Sequence, residues 1–194
     1  MQLGIFGGTF DPIHLGHLIV AETAREVLQL ERVLFVLAPQ PPHKQTQEIT
    51  PSQHRLAMLE LALADHPSFA ISTLELQRSG PSYTVDTLRA FKQFPEYSHA
   101  QFYLIIGQDS LVNFHTWREP EAILQLATLA VYPRLELQSR AIAPELQGSY
   151  LNLEAPMIDL SSKDIRRRMN EQKSIRYLAP ESVRGYLEAN KLYV

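Results

Sequence analysis

The residues best suited to chemistry lie in one short segment, GGTFDPIHLGH at positions 7–17, which directly follows the apolar positions 3–6. Anion binding at the start of a helix requires accessible backbone N–H groups and nearby positive charge. Gly7, Gly8 and Gly16 supply backbone without a Cβ, which a ligand can approach closely and which can adopt positive φ angles. The segment therefore predicts a phosphate-binding turn between a first strand and a first helix.

Two histidines in this segment supply positive charge. If the helix begins near Ile13 or His14, then His14 and His17 stand three residues apart and project to the same side of its first turn. Both imidazoles can then act as hydrogen-bonding cations toward one ligand. The alternative is a metal-binding pair, but no third ligand stands nearby at a suitable spacing, so the sequence favours phosphate. Asp11, which precedes Pro12, is a candidate cap for the same helix.

This segment resembles the signature of the HxGH nucleotidyltransferase superfamily. Its members transfer a nucleotidyl group from a nucleoside triphosphate to a phosphate or a similar acceptor. The resemblance implies that residues 7–17 bind the phosphates of such a triphosphate. The acceptor has to be inferred from the rest of the chain.

A proline-rich stretch at positions 39–44 ends in Lys44. Its prolines interrupt regular structure, so we expect a semi-rigid loop at the carboxyl edge of a sheet, where open α/β folds bind ligands. Lys44 could reach bound phosphates from this loop. A solvated surface lysine is the other interpretation, and the sequence leaves both open.

The segment RSGPSYTVDT at positions 78–87 is typical of a turn followed by a helix, with Ser82 or Thr84 as the candidate N-cap. Capping explains these residues completely in structural terms. However, the backbone N–H groups at the start of a helix also favour anions, so Tyr83 and Thr84 could hold a substrate carboxylate.

Gly107 and Asp109 follow an apolar strand, and Trp117 comes eight residues after Asp109. A turn and a cap would account for the glycine and the acid. At the edge of a sheet, however, Asp109 could accept hydrogen bonds from ribose hydroxyls. Trp117 is the only tryptophan of the chain, and it could belong to the core or stack on an aromatic ligand.

The segment LSSKDIRRR at positions 160–168 begins a helix with two serines. Lys163 and Arg166 fall near its first turn, where cations oppose the positive end of the helix dipole. An anion bound there, held by Ser162 and Arg166, would explain the arrangement, whereas Arg167 and Arg168 suit a solvated face.

Taken together, these segments resemble the bacterial nicotinate-nucleotide adenylyltransferases over nearly the whole chain. That family carries GGTFDPxHxGH, a PPHK loop, RxGxSYTxDT, IIGxD with a tryptophan downstream, and ISSTxIR. The SYTxDT segment and the HLGH sequence distinguish the chain from the shorter pantetheine-phosphate adenylyltransferases, which share the core motif. The chain departs from the family once, because LSSK at 160–163 replaces ISST and exchanges a threonine hydroxyl for a cation.

The resemblance implies adenylyl transfer from ATP, with Mg²⁺, to nicotinate mononucleotide, giving deamido-NAD and pyrophosphate in NAD biosynthesis. The implied catalytic residues are His14, His17, Lys44 and Arg166. The implied ATP-binding residues are Gly7, Gly8, Thr9, Phe10, His14, His17, Gly107, Ser162 and Arg166. The implied acceptor-binding residues are Lys44, Tyr83, Thr84, Asp109, Trp117 and Arg134. Transfer to nicotinamide mononucleotide and a non-catalytic pyridine-nucleotide sensor remain alternatives.

Composition limits the partners of the chain. The net charge of −3 gives no general attraction to nucleic acid or to an anionic membrane, so small-molecule substrates are favoured. The absence of cysteine excludes disulfides, thiolate zinc sites and a cysteine nucleophile, and it fits a reducing cytoplasm. We expect a cytoplasmic protein in which residues 1–194 form one domain.

Strand-like apolar runs alternate with helical periodicity along the chain, and these elements must position the residues above. The pattern predicts a Rossmann-like, doubly wound α/β fold with a mainly parallel sheet, helices on both faces and a helical segment from Ser162 onward. The predicted strands are 1–6, 32–37, 69–74, 102–106, 127–132 and 157–160. Segment 134–156 has little periodicity and is open to two interpretations, a surface excursion or part of a contact in a homo-oligomer.

Overall fold

The computed structural model describes residues 1–39, 49–78, 80–133, 146 and 148–194. These residues form the strands β1 (Gln2–Gly8), β2 (Arg32–Leu37), β3 (Phe69–Ser72), β4 (Gln101–Gly107), β5 (Ala127–Tyr132) and β6 (Tyr150–Asn152). The helices are α1 (Leu15–Val27), α2 (Ser52–Leu63), α3 (Thr84–Gln93), α4 (Gln108–Val112), α5 (Pro120–Leu126), α6 (Ser162–Asn170) and α7 (Glu181–Ala189). Two short 3₁₀ helices span Leu74–Gln77 and Phe114–Thr116.

All paired strands run parallel, in the order β3-β2-β1-β4-β5-β6. The central strand β1 pairs with β2 on one side and with β4 on the other, with Leu3 opposite Arg32 and Phe102. The direction in which the sheet is wound reverses between β1 and β4, and such a reversal opens a crevice at the carboxyl ends of the strands. The predicted Rossmann-like fold is confirmed.

Successive residues of a strand point to opposite faces of the sheet. Both faces here carry apolar side chains, and helices cover both of them. In β4, Ile105 packs into the layer that contains α1, α2, α6 and α7, whereas Leu104 packs into the layer that contains α3 and α5. Both side chains are buried. The polar groups of the site are therefore confined to the carboxyl edge of the sheet and the helix ends that meet there.

The structure shifts several predicted boundaries. β1 continues through Gly7 and Gly8, and residues 74–77 form a 3₁₀ helix instead of extending β3. The expected strand at 157–160 is wrong, because the sixth strand is Tyr150–Asn152, which pairs with the open edge of β5. That part of segment 134–156 belongs to the sheet, whereas residues 134–145 and 147 lie outside the described residues. Local periodicity could not reveal β6, because a three-residue strand depends on its partner for stability.

Within the described part of the chain, no helix combines the length and the apolar character needed to cross a bilayer.

Candidate active site

The turn after β1 obtains its shape from close packing of the glycine backbone. A Cβ on Gly8 would come within 2.7 Å of the Phe10 ring, whereas a Cβ on Gly7 would meet no atom within 4 Å and would point into open space. The glycines do not use their freedom to adopt positive φ angles, and Phe10 is the residue of this turn that does, at φ 47°. Phe10 as a whole is only 2% exposed, and it belongs to the hydrophobic core.

The two histidines are held together at the start of α1. The helix begins at Leu15, and His14 is its N-cap residue in extended conformation. The imidazole rings of His14 and His17 stack with their centroids 3.7 Å apart and an interplanar angle of 23°. They lie on the same side of the first turn, as their spacing predicts. Two cations at this separation would repel each other, so the pair is unsuited to two positive charges at once.

The protonation of His17 follows from its contact with the backbone. Its Nδ1 accepts a hydrogen bond of 3.2 Å from the N–H of His14. An accepting nitrogen carries no hydrogen, so the proton of this ring is on Nε2. In this arrangement the ring presents one N–H donor, at Nε2, in a defined position.

Asp11 does not cap α1, contrary to the prediction. Its carboxylate is 5% exposed, and Oδ1 accepts a hydrogen bond of 2.6 Å from the hydroxyl of Tyr193. Oδ2 accepts a longer hydrogen bond of 3.4 Å from the N–H of Thr50. Asp11 thus links the turn after β1 to two distant parts of the chain.

The predicted phosphate-binding residues of α6 lie against the same turn. Arg166 donates from one guanidinium nitrogen to the carbonyl oxygen of Asp11 at 2.6 Å, and Ser162 Oγ donates to the carbonyl oxygen of Pro12 at 2.8 Å. Ser161 is the N-cap of α6, and its Oγ accepts a hydrogen bond from the N–H of Asp164. The start of α6 is therefore fastened directly to the turn that carries the histidines.

Arg55 is a residue of this region that the sequence analysis missed. It is 1% exposed, and its guanidinium donates to four carbonyl oxygens at 2.7–2.8 Å. These carbonyl oxygens belong to Thr9, Ala38, Pro39 and Thr50. Burial lowers the pKa of Arg55, while the charge of Asp11 opposes that shift. The sequence signal is its place on the buried stripe of α2, three residues before Met58.

A larger cleft of about 490 Å³ opens beside this turn, between the ends of β1 and β4 and the start of α3. Its walls include eight of the predicted site residues, namely Gly7, Gly8, Thr9, Tyr83, Thr84, Gly107, Asp109 and Trp117. Trp117 is half-buried and packs on Phe114 with ring centroids 5.3 Å apart. A Cβ on Gly107 would collide with the carboxylate of Asp109 in its present position, so Gly107 lets that carboxylate lie close to the end of the strand.

The start of α3 lies in the wall of this cleft. Its N-cap is Tyr83, in extended conformation, so the prediction of Ser82 or Thr84 as N-cap is wrong. No side chain caps this helix start. The first N–H groups of a helix have no partner within the helix, and Tyr83 and Thr84 at this helix start line the cleft.

A buried acid, Glu75, is hydrogen-bonded to the first turn of α3. Glu75 is 8% exposed, lines the cleft and accepts a hydrogen bond of 2.7 Å from the hydroxyl of Thr87. Arg78 donates to Thr87 Oγ1 and to the carbonyl oxygen of Asp86, both at 3.0 Å. Burial raises the pKa of Glu75, and the Thr87 hydroxyl and Arg78 oppose that shift.

Arg118 is a second residue that the sequence analysis missed. Its guanidinium lies over the ring of Tyr83, 4.7 Å from the centroid, and it lines the cleft. One of its nitrogens is 3.9 Å from a carboxylate oxygen of Asp86. The sequence signal is its position directly after Trp117. Arg118 adds a half-exposed cation to a cleft that also contains acidic groups.

The histidines line a smaller cavity of about 20 Å³ on the other side of β1. Gly16 and residues Pro156, Ile158 and Leu160, which precede α6, complete its walls. Phe6 and Tyr132, whose ring centroids are 6.5 Å apart, line both this cavity and the larger cleft. The two cavities therefore adjoin at the point where the strand order reverses.

Two predicted site residues, Lys44 and Arg134, lie outside the described residues. The other predicted residues fall into two neighbouring groups, one around the histidines and one around the larger cleft. Among described side chains, no group of three or more His, Cys, Asp or Glu residues is arranged to hold a metal ion.

Comparison with known proteins agrees with this geometry. The cytidylyltransferase-like family matches residues 5–168. A probable nicotinate-nucleotide adenylyltransferase of Thermomicrobium roseum is 48% identical over 99% of this chain and 91% of its own length. A protein of the same name from Thermus thermophilus is 44% identical, with both chains covered in full.

Solved structures share the fold. The nicotinic acid mononucleotide adenylyltransferase of Plasmodium falciparum, solved in complex with NaAD, superimposes with a TM-score of 0.79 at 19% identity. The superposition covers 99% of this chain and 97% of that one. The identity and coverage of the bacterial relatives show that the chain belongs to the nicotinate-nucleotide adenylyltransferases, within the cytidylyltransferase-like family.

Proposed function

We propose that the protein transfers the adenylyl group of ATP to nicotinate mononucleotide, releasing pyrophosphate and forming deamido-NAD. The observation that carries this proposal is the junction of two cavities at Phe6 and Tyr132. One cavity contains the paired histidines, and the other contains the helix start, acid and tryptophan expected for the acceptor. The names of the bacterial relatives support the same reaction.

The reaction requires an oxygen of the acceptor's 5′-phosphate to attack the α-phosphorus of ATP. The bond from this phosphorus to the bridging oxygen breaks, and pyrophosphate leaves with the electron pair. No side chain has to form a covalent intermediate, so the protein acts by positioning the substrates and stabilising developing charge. ATP enters as its Mg²⁺ complex, in which the ion neutralises part of the phosphate charge.

The residues around the histidine cavity suit the triphosphate. His17 carries its proton on Nε2 and can donate it in a hydrogen bond to a phosphate oxygen, while the stacked ring of His14 holds His17 in position. Arg166 supplies a guanidinium beside the turn, and Ser162 fixes α6 to that turn. Lys44 would add a further cation from its proline-rich loop. The backbone of residues 7–10 would approach the phosphates closely.

The larger cleft suits a pyridine mononucleotide. The backbone N–H groups at Tyr83 and Thr84 would hold the pyridine carboxylate, because a helix start favours an anion. Trp117 would stack on the pyridine ring, and Asp109 would accept hydrogen bonds from the ribose. Arg134 would add a cation for the carboxylate. An amide lacks the negative charge that these donors favour, so we expect nicotinate to be preferred over nicotinamide.

The test is pyrophosphate release from ATP and Mg²⁺ with each of three acceptors: nicotinate mononucleotide, nicotinamide mononucleotide and phosphopantetheine. We expect release with the first acceptor to exceed release with the others. A preference for the amide would reassign the acceptor, and release with none of the three would favour a nucleotide sensor. Chelation of divalent ions should stop the reaction, and added Mg²⁺ should restore it.

A further inference from the structure

Three groups from separate parts of the chain converge on Asp11. The hydroxyl of Tyr193 donates to Oδ1 at 2.6 Å, the N–H of Thr50 donates to Oδ2 at 3.4 Å, and one guanidinium nitrogen of Arg166 is 3.9 Å from Oδ2. That same nitrogen donates to the backbone carbonyl of Asp11 at 2.6 Å. Arg166 therefore contacts the main chain of Asp11 closely and its carboxylate only loosely.

This arrangement presents a competition between two anions. A carboxylate and a phosphate both form strong, charge-assisted hydrogen bonds with a guanidinium. Asp11 is nearly fully buried, so its charge is poorly screened by solvent. If the carboxylate paired fully with Arg166, the guanidinium would be less able to bind a phosphate of ATP.

Tyr193 is placed to compete with Arg166 for the Asp11 carboxylate. Its short hydrogen bond occupies Oδ1, and the N–H of Thr50 contacts Oδ2. Burial, together with the neighbouring Asp11, raises the pKa of Tyr193, so the phenol keeps its proton at neutral pH and remains a donor. Tyr193 packs against the helical layer of α1, α2, α6 and α7, which holds its ring in place.

We propose that Tyr193 is a positioning residue of the nucleotide site, which holds the Asp11 carboxylate by a hydrogen bond and thereby leaves the Arg166 guanidinium to the phosphates of ATP. This inference rests on the proposed function, because it takes ATP as the ligand of Arg166. Tyr193 acts through Asp11 and Arg166 and does not itself contact the substrate.

The first test is the variant Tyr193→Phe, which removes only the hydroxyl. We expect the KM for ATP and the dissociation constant of Mg²⁺-ATP, measured by calorimetry, to rise about tenfold, as loss of one charge-assisted hydrogen bond predicts. The KM for the acceptor should change by less than about twofold, because Tyr193 and Asp11 do not line the larger cleft.

The second test removes the competing charge. In the double variant Asp11→Asn with Tyr193→Phe, the neutral amide cannot capture Arg166, so ATP affinity should return to within about twofold of that of Asp11→Asn alone. Asp11→Asn alone should bind ATP at least as tightly as the unchanged protein. This single variant tests the competition even if Tyr193→Phe fails to fold.

The matched control is Tyr186→Phe. It removes another tyrosine hydroxyl from the last part of the chain, one that lies 2.9 Å from His54 Nδ1 and has no contact with Asp11. We expect ATP affinity in this variant to equal that of the unchanged protein.

The outcomes separate this inference from the proposed function. A rise in the ATP dissociation constant that Asp11→Asn rescues supports it, whether or not adenylyl transfer occurs. An unchanged ATP affinity in Tyr193→Phe, a loss without rescue, or weakened binding in Asp11→Asn alone would overturn it. If the unchanged protein transfers adenylyl groups normally and Tyr193→Phe has the same affinity for ATP, only the inference fails. If the unchanged protein does not bind ATP, both fail.

Discussion

The two sides of the site are built from contacts of very different sequence separation. On the histidine side, which comprises the turn after β1 and the start of α6, the hydrogen bonds of Arg55 to Thr9, Arg166 to Asp11 and Tyr193 to Asp11 span 46, 155 and 182 residues. On the acceptor side, around the start of α3, Arg78 and Glu75 contact Thr87 across only 9 and 12 residues.

The two sides of the site therefore depend to different degrees on contacts between distant parts of the chain. The start of α3 is held by contacts within one turn and one helix, so changes to those contacts should alter acceptor binding and leave ATP binding nearly intact. The histidine side is a junction of β1, α2, α6 and the segment after α7. Changes there should affect turnover, ATP binding and overall stability together.

The largest expected effect comes from the histidine side. In His17→Ala, the Nε2–H donor toward the phosphates is lost, and kcat should fall on the order of 10²- to 10³-fold, as for removal of one oxyanion donor. The measurement is the steady-state rate of pyrophosphate release, with far-UV circular dichroism as the control for folding. A loss well below tenfold would mean that His17 does not stabilise the transition state.

The next effect tests whether the histidine side depends on buried long-range contacts. Arg55→Met keeps an unbranched apolar stem but leaves four carbonyl oxygens without the guanidinium. We expect a loss of ~3 kcal/mol in the free energy of unfolding, measured with urea. Arg55→Lys should recover part of that loss, since it retains the charge but not the planar set of donors.

The control for this experiment is Arg89→Met, at an exposed arginine that bonds Glu119 from α3. We expect little change in stability, because exposed ion pairs contribute little. Equal destabilisation by the two variants would contradict the role assigned to the buried Arg55.

The third effect concerns the acceptor side. Trp117→Ala should raise the KM for nicotinate mononucleotide about tenfold through loss of stacking, with the KM for ATP changed less than about twofold. Trp117→Phe keeps an aromatic ring and should restore most of the affinity. If Trp117→Ala weakened ATP and acceptor equally, the two sides of the site would not be independent.

The smallest effect is the pH dependence of stability due to Glu75. Its pKa is raised by burial, so between the ordinary glutamate pKa and the raised value the folded protein binds more protons than the unfolded chain. The free energy of unfolding therefore falls as pH rises through this window. Glu75→Gln cannot lose a proton, and its stability should fall less than that of the unchanged protein between about pH 5 and pH 8.

Glu119→Gln tests a pH dependence of the unfolding free energy that runs in the opposite direction. The pKa of Glu119 is lowered, chiefly by its hydrogen bond from Arg89, so its contribution is lost as pH falls. Urea unfolding at several pH values compares the two variants. A constant difference between Glu75→Gln and the unchanged protein across pH would contradict the raised pKa of Glu75.

Much of the fold was predictable from the sequence because its signals are local. The strands Arg32–Leu37 and Ala127–Tyr132 begin and end where their apolar runs do, and α3 begins at Thr84 as expected. β6 was not predictable, since its three residues form a strand only by pairing with β5. The helix caps were mispredicted at Ser82 and Asp11, because Tyr83 is the N-cap of α3 and the Asp11 carboxylate accepts hydrogen bonds from Tyr193 and Thr50.

The sequence by itself determined the chemistry available to this protein: the glycine- and histidine-rich turn, the first five strands of the sheet, and the family to which the chain belongs. These features follow from residue types at short, regular spacings. Only the tertiary structure decided that Arg55 binds four backbone carbonyls, that Arg166 donates to the carbonyl of Asp11 and that Tyr193 reaches Asp11. Such contacts depend on which distant segments the sheet brings to one edge, and no local pattern encodes that distance.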